Sequence, residues 1–408
     1  MKKLLAILAF VLALAGCGGG GGGDGAGRAA NQVPGASQAA NAVTVTVDRT
    51  FGFVNAPYVT VTLCAPGTGN CATIDHVLVD TGSAGLRILR SAVPASLGLV
   101  NNKDSAQGNT MAECVEFGSG VAWGPISTVD LKIAGETASS LPIQIVDDSF
   151  ASVPADCANA GPDMAARGAS SFGGNGLIGL NVIRHDCETS CQFAAASLYY
   201  DCAGSNCTGI AVPLAEQVPN PVTKFATDNN GVTLSFPAVG EGGQASVSGV
   251  MTFGVNTQGN NMLPATAQQM TTTVFGEVAT TFDGLPMPGI VDSGSGAYFF
   301  VDPSISQCPS SFSNQPWFCP PAPETISASM QSESGVTLGI SFSLVNAVSE
   351  LGNGENAAHA GIGQNMGVFG AGELDLGMPY FYGKSITLGI QGSDDLSAGT
   401  PPYFAIQS

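Results

Sequence analysis

The sequence predicts a mostly β protein with two lobes, and three observations support this. Segments that alternate apolar with polar residues, or are rich in β-branched residues, recur between Gly, Pro and Asn clusters. Only 11% of the residues are charged, which is typical of a packed domain and not of a disordered acidic tail. About 365 residues follow the first 43, which is more than one core usually holds.

Six segments carry the strand pattern most clearly. They are residues 42–47, 58–63, 128–133, 141–146, 231–236 and 279–284. Helical periodicity is sparse, and we expect short helices only at 194–200 and 324–330. The expected fold is therefore all-β with a few short helices.

The beginning of the chain predicts export. Lys2 and Lys3 precede an apolar run at 4–14, which is a signal-peptide pattern too short to span a membrane. Small residues then lead to Cys17, as in a bacterial lipobox, so residues 1–17 form a signal peptide and Cys17 carries the lipid. The alternative is an ordinary signal peptide with a chance cysteine. Residues 18–43 are rich in Gly, Ala, Asn and Ser and predict a flexible tether.

The signal peptide and the lipobox imply a protein that is held at the bacterial envelope through the Cys17 anchor alone. Gly18 follows the cysteine, and no aspartate signals retention at the inner membrane, which favours the outer membrane. The net charge of −19, with only twelve Lys and Arg, excludes nucleic acid and a polybasic membrane-surface role.

The cysteines agree with an oxidising compartment. Without Cys17 they number ten, which suggests disulfides. Short loops make the pairs Cys64/Cys71, Cys202/Cys207 and Cys308/Cys319 plausible, although sequence does not fix connectivity. No C-x-x-C occurs and the three histidines are scattered, so we expect no metal site and no cofactor.

One short pattern occurs twice. The segments "VLVDTGSAGLRIL" (77–89) and "GIVDSGSGAYFF" (289–300) both run from apolar residues into Asp, a hydroxyl residue, Gly and a second hydroxyl residue. Alone, either would be a strand that ends in an acidic turn. Two copies in matched contexts, 212 positions apart, indicate that Asp80 and Asp292 act as a pair.

Two adjacent carboxyls have a chemistry that neither has alone. An ionised carboxylate can take a proton from water while its protonated partner donates to a carbonyl oxygen. Repulsion keeps both from ionising together and separates their titrations. Asp80 and Asp292 are therefore candidate catalytic residues for hydrolysis of an amide.

The residues after each Asp are matched in type, and we expect them to support the dyad. The glycine lets the backbone approach the carboxyl closely. The second hydroxyl residue can donate to the outer oxygen, and the first can bond across to the opposite loop. The supporting residues are Thr81, Gly82 and Ser83 in the first loop and Ser293, Gly294 and Ser295 in the second.

With these loops the chain resembles the pepsin-like aspartic peptidases. An extended segment at 55–63 precedes the first Asp, and "EFGSG" (116–120) stands where the family has a flap with a Tyr-Gly-x-Gly tip. "GLIGL" (176–180) and "LDLGMPYFYGKSITLGI" (374–390) look like the family's two hydrophobic-hydrophobic-Gly segments. The resemblance covers roughly residues 44–395, as a divergent bacterial lipoprotein branch.

The resemblance implies a bilobal fold of two duplicated β lobes, 44–242 and 243–408, with a central cleft. It implies a monomeric endopeptidase that binds an extended polypeptide in the cleft. The flap would consist of Phe117, Gly118, Ser119 and Gly120.

Three departures from the family's pattern stand out. Phe117 replaces the flap tyrosine, and Arg87 replaces the tryptophan that usually partners it. Arg87 either stacks on Phe117, a contact worth up to about 1 kcal/mol, or is a solvated strand residue. Asp375 stands where the family has an apolar side chain. It is structural, a third carboxylate near the site, or a sign that the alignment is off by one.

Two other functions stay open. An inactive pepsin-like module could bind envelope polypeptide or glycan without cleaving it, since a fold does not guarantee activity. A purely structural surface lipoprotein would have no use for the two Asp loops. A serine hydrolase is disfavoured because no G-x-S-x-G motif occurs.

Overall fold

The secondary structure is almost entirely β. The computed structural model describes residues 39–352, 354–367, 372–392 and 401–408. Within these ranges only three short α-helices and a few 3-10 turns interrupt the strands, which confirms the mostly β prediction. The predicted signal peptide, Cys17 and the tether up to residue 38 lie outside the described residues.

The elements have the following bounds. The strands are β1 Ala42–Val47, β2 Pro57–Cys64, β3 Cys71–Asp80, β4 Ala84–Leu89, β5 Thr110–Phe117, β6 Gly120–Ile133, β7 Glu136–Val146, β8 Gly176–Leu180, β9 Tyr199–Ala203, β10 Asn206–Gly209, β11 Gly231–Ser235, β12 Val247–Phe253, β13 Gln268–Thr271, β14 Val278–Phe282, β15 Leu285–Asp292, β16 Tyr298–Phe300, β17 Glu324–Gln331, β18 Thr337–Leu344, β19 Gly363–Asn365, β20 Leu374–Gly377, β21 Ser385–Gly389 and β22 Tyr403–Gln407. The α-helices are α1 Ala155–Ala160, α2 Ala169–Phe172 and α3 Ala347–Leu351. The 3-10 turns are Arg90–Ala92, Ala95–Leu97, Glu188–Ser190, Leu214–Glu216, Pro221–Lys224 and Met378–Phe381.

All six predicted strands are present, but both predicted helices are wrong. Residues 324–330 lie in β17, where Ile326 and Met330 face the core. Their spacing of four fits a helix and a strand equally well, so periodicity could not decide. Tyr199 and Tyr200 begin β9, which pairs with β5 and β10 through contacts distant in sequence.

The strands around the two Asp loops repeat one arrangement. β3 ends at Asp80, pairs in parallel with β8, and β8 pairs antiparallel with β4. β15 ends at Asp292, pairs in parallel with β20, and β20 pairs antiparallel with β16. The outer neighbours match as well, because β4 is parallel to β7 and β16 is parallel to β19. The sequence repeat thus corresponds to a structural repeat.

In the part of the chain that the structure describes, the strands form two sheets. One has 15 strands in the order β10-β9-β5-β6-β7-β4-β8-β3-β2-β1-β12-β11-β21-β22-β13. The other has seven, in the order β18-β17-β14-β15-β20-β16-β19. The predicted lobe boundary at 242/243 falls between the paired strands β11 and β12, and the division into lobes stays a prediction. One apolar cluster includes buried residues from both sheets.

The cysteines of the described residues form five disulfides. Cys64–Cys71, Cys202–Cys207 and Cys308–Cys319 confirm the three predicted pairs. Cys114–Cys157 and Cys187–Cys191 complete the set. Disulfides in this number indicate an extracytoplasmic, oxidising compartment. Across the described ranges, no helix is long and apolar enough to span a membrane.

Cys114–Cys157 is expected to be the more stabilising of the two pairs that sequence did not single out. It closes a separation of 43 residues, against four for Cys187–Cys191. Constraint of the unfolded chain grows with loop length, so replacing both cysteines by Ala should lower the free energy of unfolding by about 4 kcal/mol for the first pair and about 2 kcal/mol for the second. Urea unfolding of the two double variants measures both losses, and equal losses would contradict this loop-length account.

Candidate active site

The two Asp loops meet at the ends of β3 and β15. Asp80 and Asp292 are buried, 4% and 9% exposed. A Cβ on Gly82 of the first loop would lie 2.7 Å from Cγ of Asp292, so the first loop lies directly against the second carboxyl. The backbone of the second loop lies directly against them. A Cβ on Gly294 would lie 2.7 Å from Oδ1 of Asp80 and 3.2 Å from Oδ1 of Asp292. Only glycine fits this position without moving the carboxyls.

A glycine on the neighbouring strand makes room for each loop. Gly179 of β8 is in register with Asp80, and Gly377 of β20 is in register with Asp292. A Cβ on either glycine would lie within 2.7 Å of a backbone carbonyl oxygen of the adjoining loop region. The hydrophobic-hydrophobic-Gly segments therefore let each Asp loop pack closely against its neighbouring strand.

Matched donors hold each carboxyl. The N–H of Gly82 donates to Oδ1 of Asp80 at 2.7 Å, and the Ser83 hydroxyl donates to Oδ2 at 2.5 Å. In the second loop the corresponding glycine N–H and serine hydroxyl donate to Oδ1 and Oδ2 of Asp292 at 2.7 and 2.8 Å. Both carboxyls thus have one oxygen on a backbone donor and one on a hydroxyl.

Thr81 and Ser293 tie the loops to each other. The Thr81 hydroxyl donates to the carbonyl of Val291 at 2.8 Å, and the Ser293 hydroxyl donates to the carbonyl of Val79 at 2.7 Å. Each hydroxyl also accepts from the backbone N–H of the opposite residue, at 2.9 and 3.2 Å. Because Thr81 and Ser293 are buried, four reciprocal bonds in a dry environment fix the separation of the carboxyls.

The electrostatics favour one shared proton. Burial first, and then the charge and hydrogen bond of Asp80, raise the pKa of Asp292 well above its ordinary value. Its serine and glycine donors offset this only in part. Two close carboxyls of this kind lose their protons in two separated steps that belong to the pair. Between these steps the site holds one acid and one base.

The predicted flap is the hairpin of β5 and β6. Phe117 pairs with Gly120, with Gly118 and Ser119 at the turn. The Phe117 ring is partly buried against an apolar cluster beside this hairpin. Beyond the turn, the N–H of Val121 donates to the carbonyl of Pro162 at 2.9 Å. The base of the tip is therefore tied to a neighbouring loop.

Arg87 is not a solvated strand residue, because it is 0% exposed. Its guanidinium lies 5.9 Å from the centroid of the Phe117 ring, within range of the predicted stacking. Its Nη2 donates to Glu113 at 2.8 Å and to Asp186 at 3.1 Å. Arg87 thus belongs to a buried ion-pair network that reaches the flap strand β5 through Glu113.

Sequence reasoning missed the partners of Arg87. Glu113 reads as an ordinary polar position in a strand, and Asp186 stands in a Cys-rich loop. Tyr199, in a segment predicted as helix, donates its hydroxyl to Asp186 at 2.6 Å. The single usable signal was Arg87 itself, because a buried cation requires carboxylates or other acceptors nearby.

The chain matches the family described as "Protein of unknown function (DUF3443)" over residues 37–406. It belongs to the DUF3443 family. No curated protein matches the sequence. Among solved structures, the crystal structure of an aspartic proteinase from Irpex lacteus is similar, with 14% identity and a TM-score of 0.47. That match covers 90% of this chain and 97% of the other.

Asp375 of this DUF3443 protein lies beside the dyad. Gly377 is in register with Asp292 as Gly179 is with Asp80, so Asp375 holds the position that Leu177 holds beside the first loop. Asp375 is 0% exposed, and after burial itself the charge of Asp292 is the strongest influence that raises its pKa. It is therefore a third carboxyl near the site. For metals, the described residues contain no group of three or more His, Cys, Asp and Glu that could hold an ion.

The Arg87 network predicts a pH-dependent stability. Burial, and then the charge of Glu113, raise the pKa of Asp186 well above its ordinary value. The folded state thus holds this proton more tightly than the unfolded chain. The stability that Asp186 contributes is complete below the ordinary carboxyl pKa of about 4 and is lost as pH rises towards the folded value.

Asp186→Asn should therefore gain stability relative to the wild type between pH 4 and pH 7. The amide cannot ionise, and its oxygen can still accept from Tyr199. Urea unfolding at several pH values measures the difference, with the exposed turn variant Asp283→Asn as the matched control. A difference that stays constant with pH, or reverses sign, would refute the proposed ionisation.

Proposed function

We propose that this DUF3443 protein is an aspartic endopeptidase with Asp80 and Asp292 as its catalytic residues. One observation carries the proposal: two buried carboxyls at the ends of matched strands stand on two loops that are hydrogen-bonded to each other, and each carboxyl is held by matched donors. Among the arrangements in the described chain, this one supplies an acid and a base at a single point. Amide hydrolysis needs that combination.

The proposed reaction uses a water bound between the carboxyls. The ionised carboxyl takes a proton from the water as its oxygen attacks the peptide carbonyl carbon. The protonated carboxyl donates to the carbonyl oxygen, which gives a neutral tetrahedral intermediate. A second proton exchange with the amide nitrogen breaks the C–N bond and restores the pair. Thr81 and Ser293 would keep the carboxyls aligned throughout.

The proposed substrate is an extended polypeptide that lies between the flap and the dyad. Backbone groups at the turn of the hairpin would bind it as an added strand. Because Phe117 has no hydroxyl, the flap would contact the substrate through its apolar ring and through the backbone of Gly118 to Gly120. The flap is therefore expected to select for shape and apolar side chains more than for polar ones.

We further propose that the protein acts as a monomer at the cell envelope, anchored by a lipid on Cys17. Five disulfides in the described chain and the signal-peptide pattern support an extracytoplasmic site. The lipobox and residue Gly18 favour the outer membrane. The substrate would then be polypeptide that reaches the same compartment.

A binding module without catalysis is the second candidate. The observation that favours it is the altered flap, where Phe117 lacks the tyrosine hydroxyl and Arg87 is committed to Glu113. In that case the cleft would hold envelope polypeptide or glycan, and the two carboxyls would form hydrogen bonds to this ligand without cleaving it.

Digestion of a denatured, disulfide-free protein separates the two candidates. The purified protein is incubated with it between pH 3 and pH 7, with and without a statine-type inhibitor, and new termini are mapped by mass spectrometry. Cleavage that the inhibitor blocks is the result expected for the peptidase. Saturable binding of the polypeptide without new termini at any pH would favour the binding module instead.

A further inference from the structure

Asp375 shares a face of the sheet with the catalytic carboxyl of its lobe. It is in register with Ile290 on β15, and Ile290 precedes Asp292 by two residues. Side chains two apart on a strand point to the same face, and residues in register on neighbouring strands do so as well. The Asp375 carboxyl is therefore directed to the side of the sheet on which Asp292 stands.

This carboxyl is deeply buried and short of partners. Asp375 is 0% exposed, and among the described residues neither of its oxygens has a hydrogen bond of ordinary geometry. A buried charge without partners is strongly unfavourable, so the neutral acid is the stable form. The charged groups that face it are Asp292, Asp80 and Glu373, all acidic, and with burial they raise its pKa well above the ordinary value.

Ser295 connects Asp375 to the dyad. The carbonyl of Ser295 accepts from the N–H of Met378, three residues after Asp375, at 2.7 Å, and its hydroxyl donates its single proton to Oδ2 of Asp292 at 2.8 Å. Ser295 is also among the groups that act on the Asp375 carboxyl. A hydroxyl that has given its proton away still has free lone pairs to accept. The natural donor to these lone pairs is a neutral Asp375.

We propose that Asp375 is a positioning residue of the dyad: its protonated carboxyl donates to the Ser295 hydroxyl, which donates to Asp292. No bond forms or breaks in this chain, and each oxygen keeps its own proton. A hydroxyl that accepts a hydrogen bond becomes a stronger donor. Asp375 thereby stabilises negative charge on Asp292 and lowers the pH at which the pair loses its first proton.

This role of Asp375 rests on the proposed function only as far as catalysis is concerned, because the hydrogen-bonded chain itself does not require turnover. The dyad loses its protons in two steps, and the step at lower pH can be followed without turnover by NMR of protein labelled with ¹³C at the Asp side-chain carboxyls. Asp375→Leu, the apolar residue type of the resembled family, removes the donor. Asp375→Asn keeps a donor of nearly the same shape that cannot ionise. The variants Asp80→Asn and Asp292→Asn assign the dyad signals.

Asp375→Leu should raise the lower titration of the dyad by about half to one pH unit, the scale of one weakened hydrogen bond. Asp375→Asn should leave it near the wild-type value. In a Ser295→Ala background Asp375→Leu should move it no further. The proposal is overturned if the folded Asp375→Leu variant titrates as the wild type does. It is also overturned if Asp375→Asn shifts the titration as much as Asp375→Leu, or if Asp375→Leu causes the same shift with Ser295 present and with Ser295 replaced by Ala.

The wild-type spectrum decides if the Leu variant does not fold. Asp375 must then remain protonated at a pH where the dyad has already lost its first proton, and an ionised Asp375 there overturns the proposal. Proteolysis tests the proposed function separately. An absence of cleavage would defeat the peptidase, while the carboxyl titrations would still test the hydrogen-bonded chain.

Discussion

Replacing Asp80 or Asp292 by Asn is expected to lower kcat/KM for peptide cleavage by about 10³- to 10⁴-fold. The amide has the shape of the carboxyl but neither takes nor supplies the proton that the reaction requires. The loops should stay in place, because Thr81 and Ser293 are joined to each other and to backbone carbonyls. Initial rates on one fluorogenic peptide, with unfolding midpoints as a check on the fold, measure the effect.

The matched control is Asp283→Asn, the same chemical change at an exposed turn between β14 and β15. Its backbone has a positive φ of 48°, which Asn tolerates well. This control should keep wild-type rates. Cleavage that survives in both dyad variants would show that another group performs the chemistry.

Replacing Arg87 by Met is expected to lower the free energy of unfolding at neutral pH by about 3–5 kcal/mol, as when one partner of a buried ion pair is removed. The change leaves Glu113 buried without its cation and leaves Asp186 beside it. The stack on Phe117 is lost as well, so KM should rise as the flap loosens. Urea unfolding and substrate titration measure the two effects.

Arg90→Met is the control for Arg87→Met, because Arg90 lies three positions further and is exposed. It should change stability by less than about 0.5 kcal/mol. Adding Glu113→Gln and Asp186→Asn to Arg87→Met should restore part of the loss, since no buried charge then remains unpaired. A loss of equal size at Arg87 and Arg90 would contradict the role assigned to the network.

The parts of the structure that sequence predicts are those with a local signal. The alternation in residues 128–133 and 141–146 identifies β6 and β7, and the short loop of Cys64–Cys71 limits its pairing. The repeated Asp loop is the strongest signal, because the hydroxyl residues at fixed positions after each Asp predict which hydrogen bonds they form. Thr81 and Ser293 bond across the loops in the structure, and Ser83 and Ser295 bind the carboxyls.

The remaining features depend on contacts between distant segments. Residues 324–330 have a spacing that suits either a helix or a strand, and only the pairing with β14 and β18 makes them a strand. The partners of Arg87 lie 26 and 99 positions away, so no local pattern joins them. Asp375 was visible in the sequence as an unexpected acidic residue, but only the register of β15 and β20 places it on the same face of the sheet as Asp292.

The pH profile of kcat/KM for peptide cleavage by the purified protein tests the central claim most directly. A pair that works with one shared proton predicts a bell-shaped profile, which falls at low pH as the base is protonated and at high pH as the acid ionises. Because burial and Asp80 raise the pKa of Asp292, the descending limb should lie above the ordinary carboxyl range. No cleavage at any pH, or a rate that stays level from acid to neutral pH, would contradict the claim.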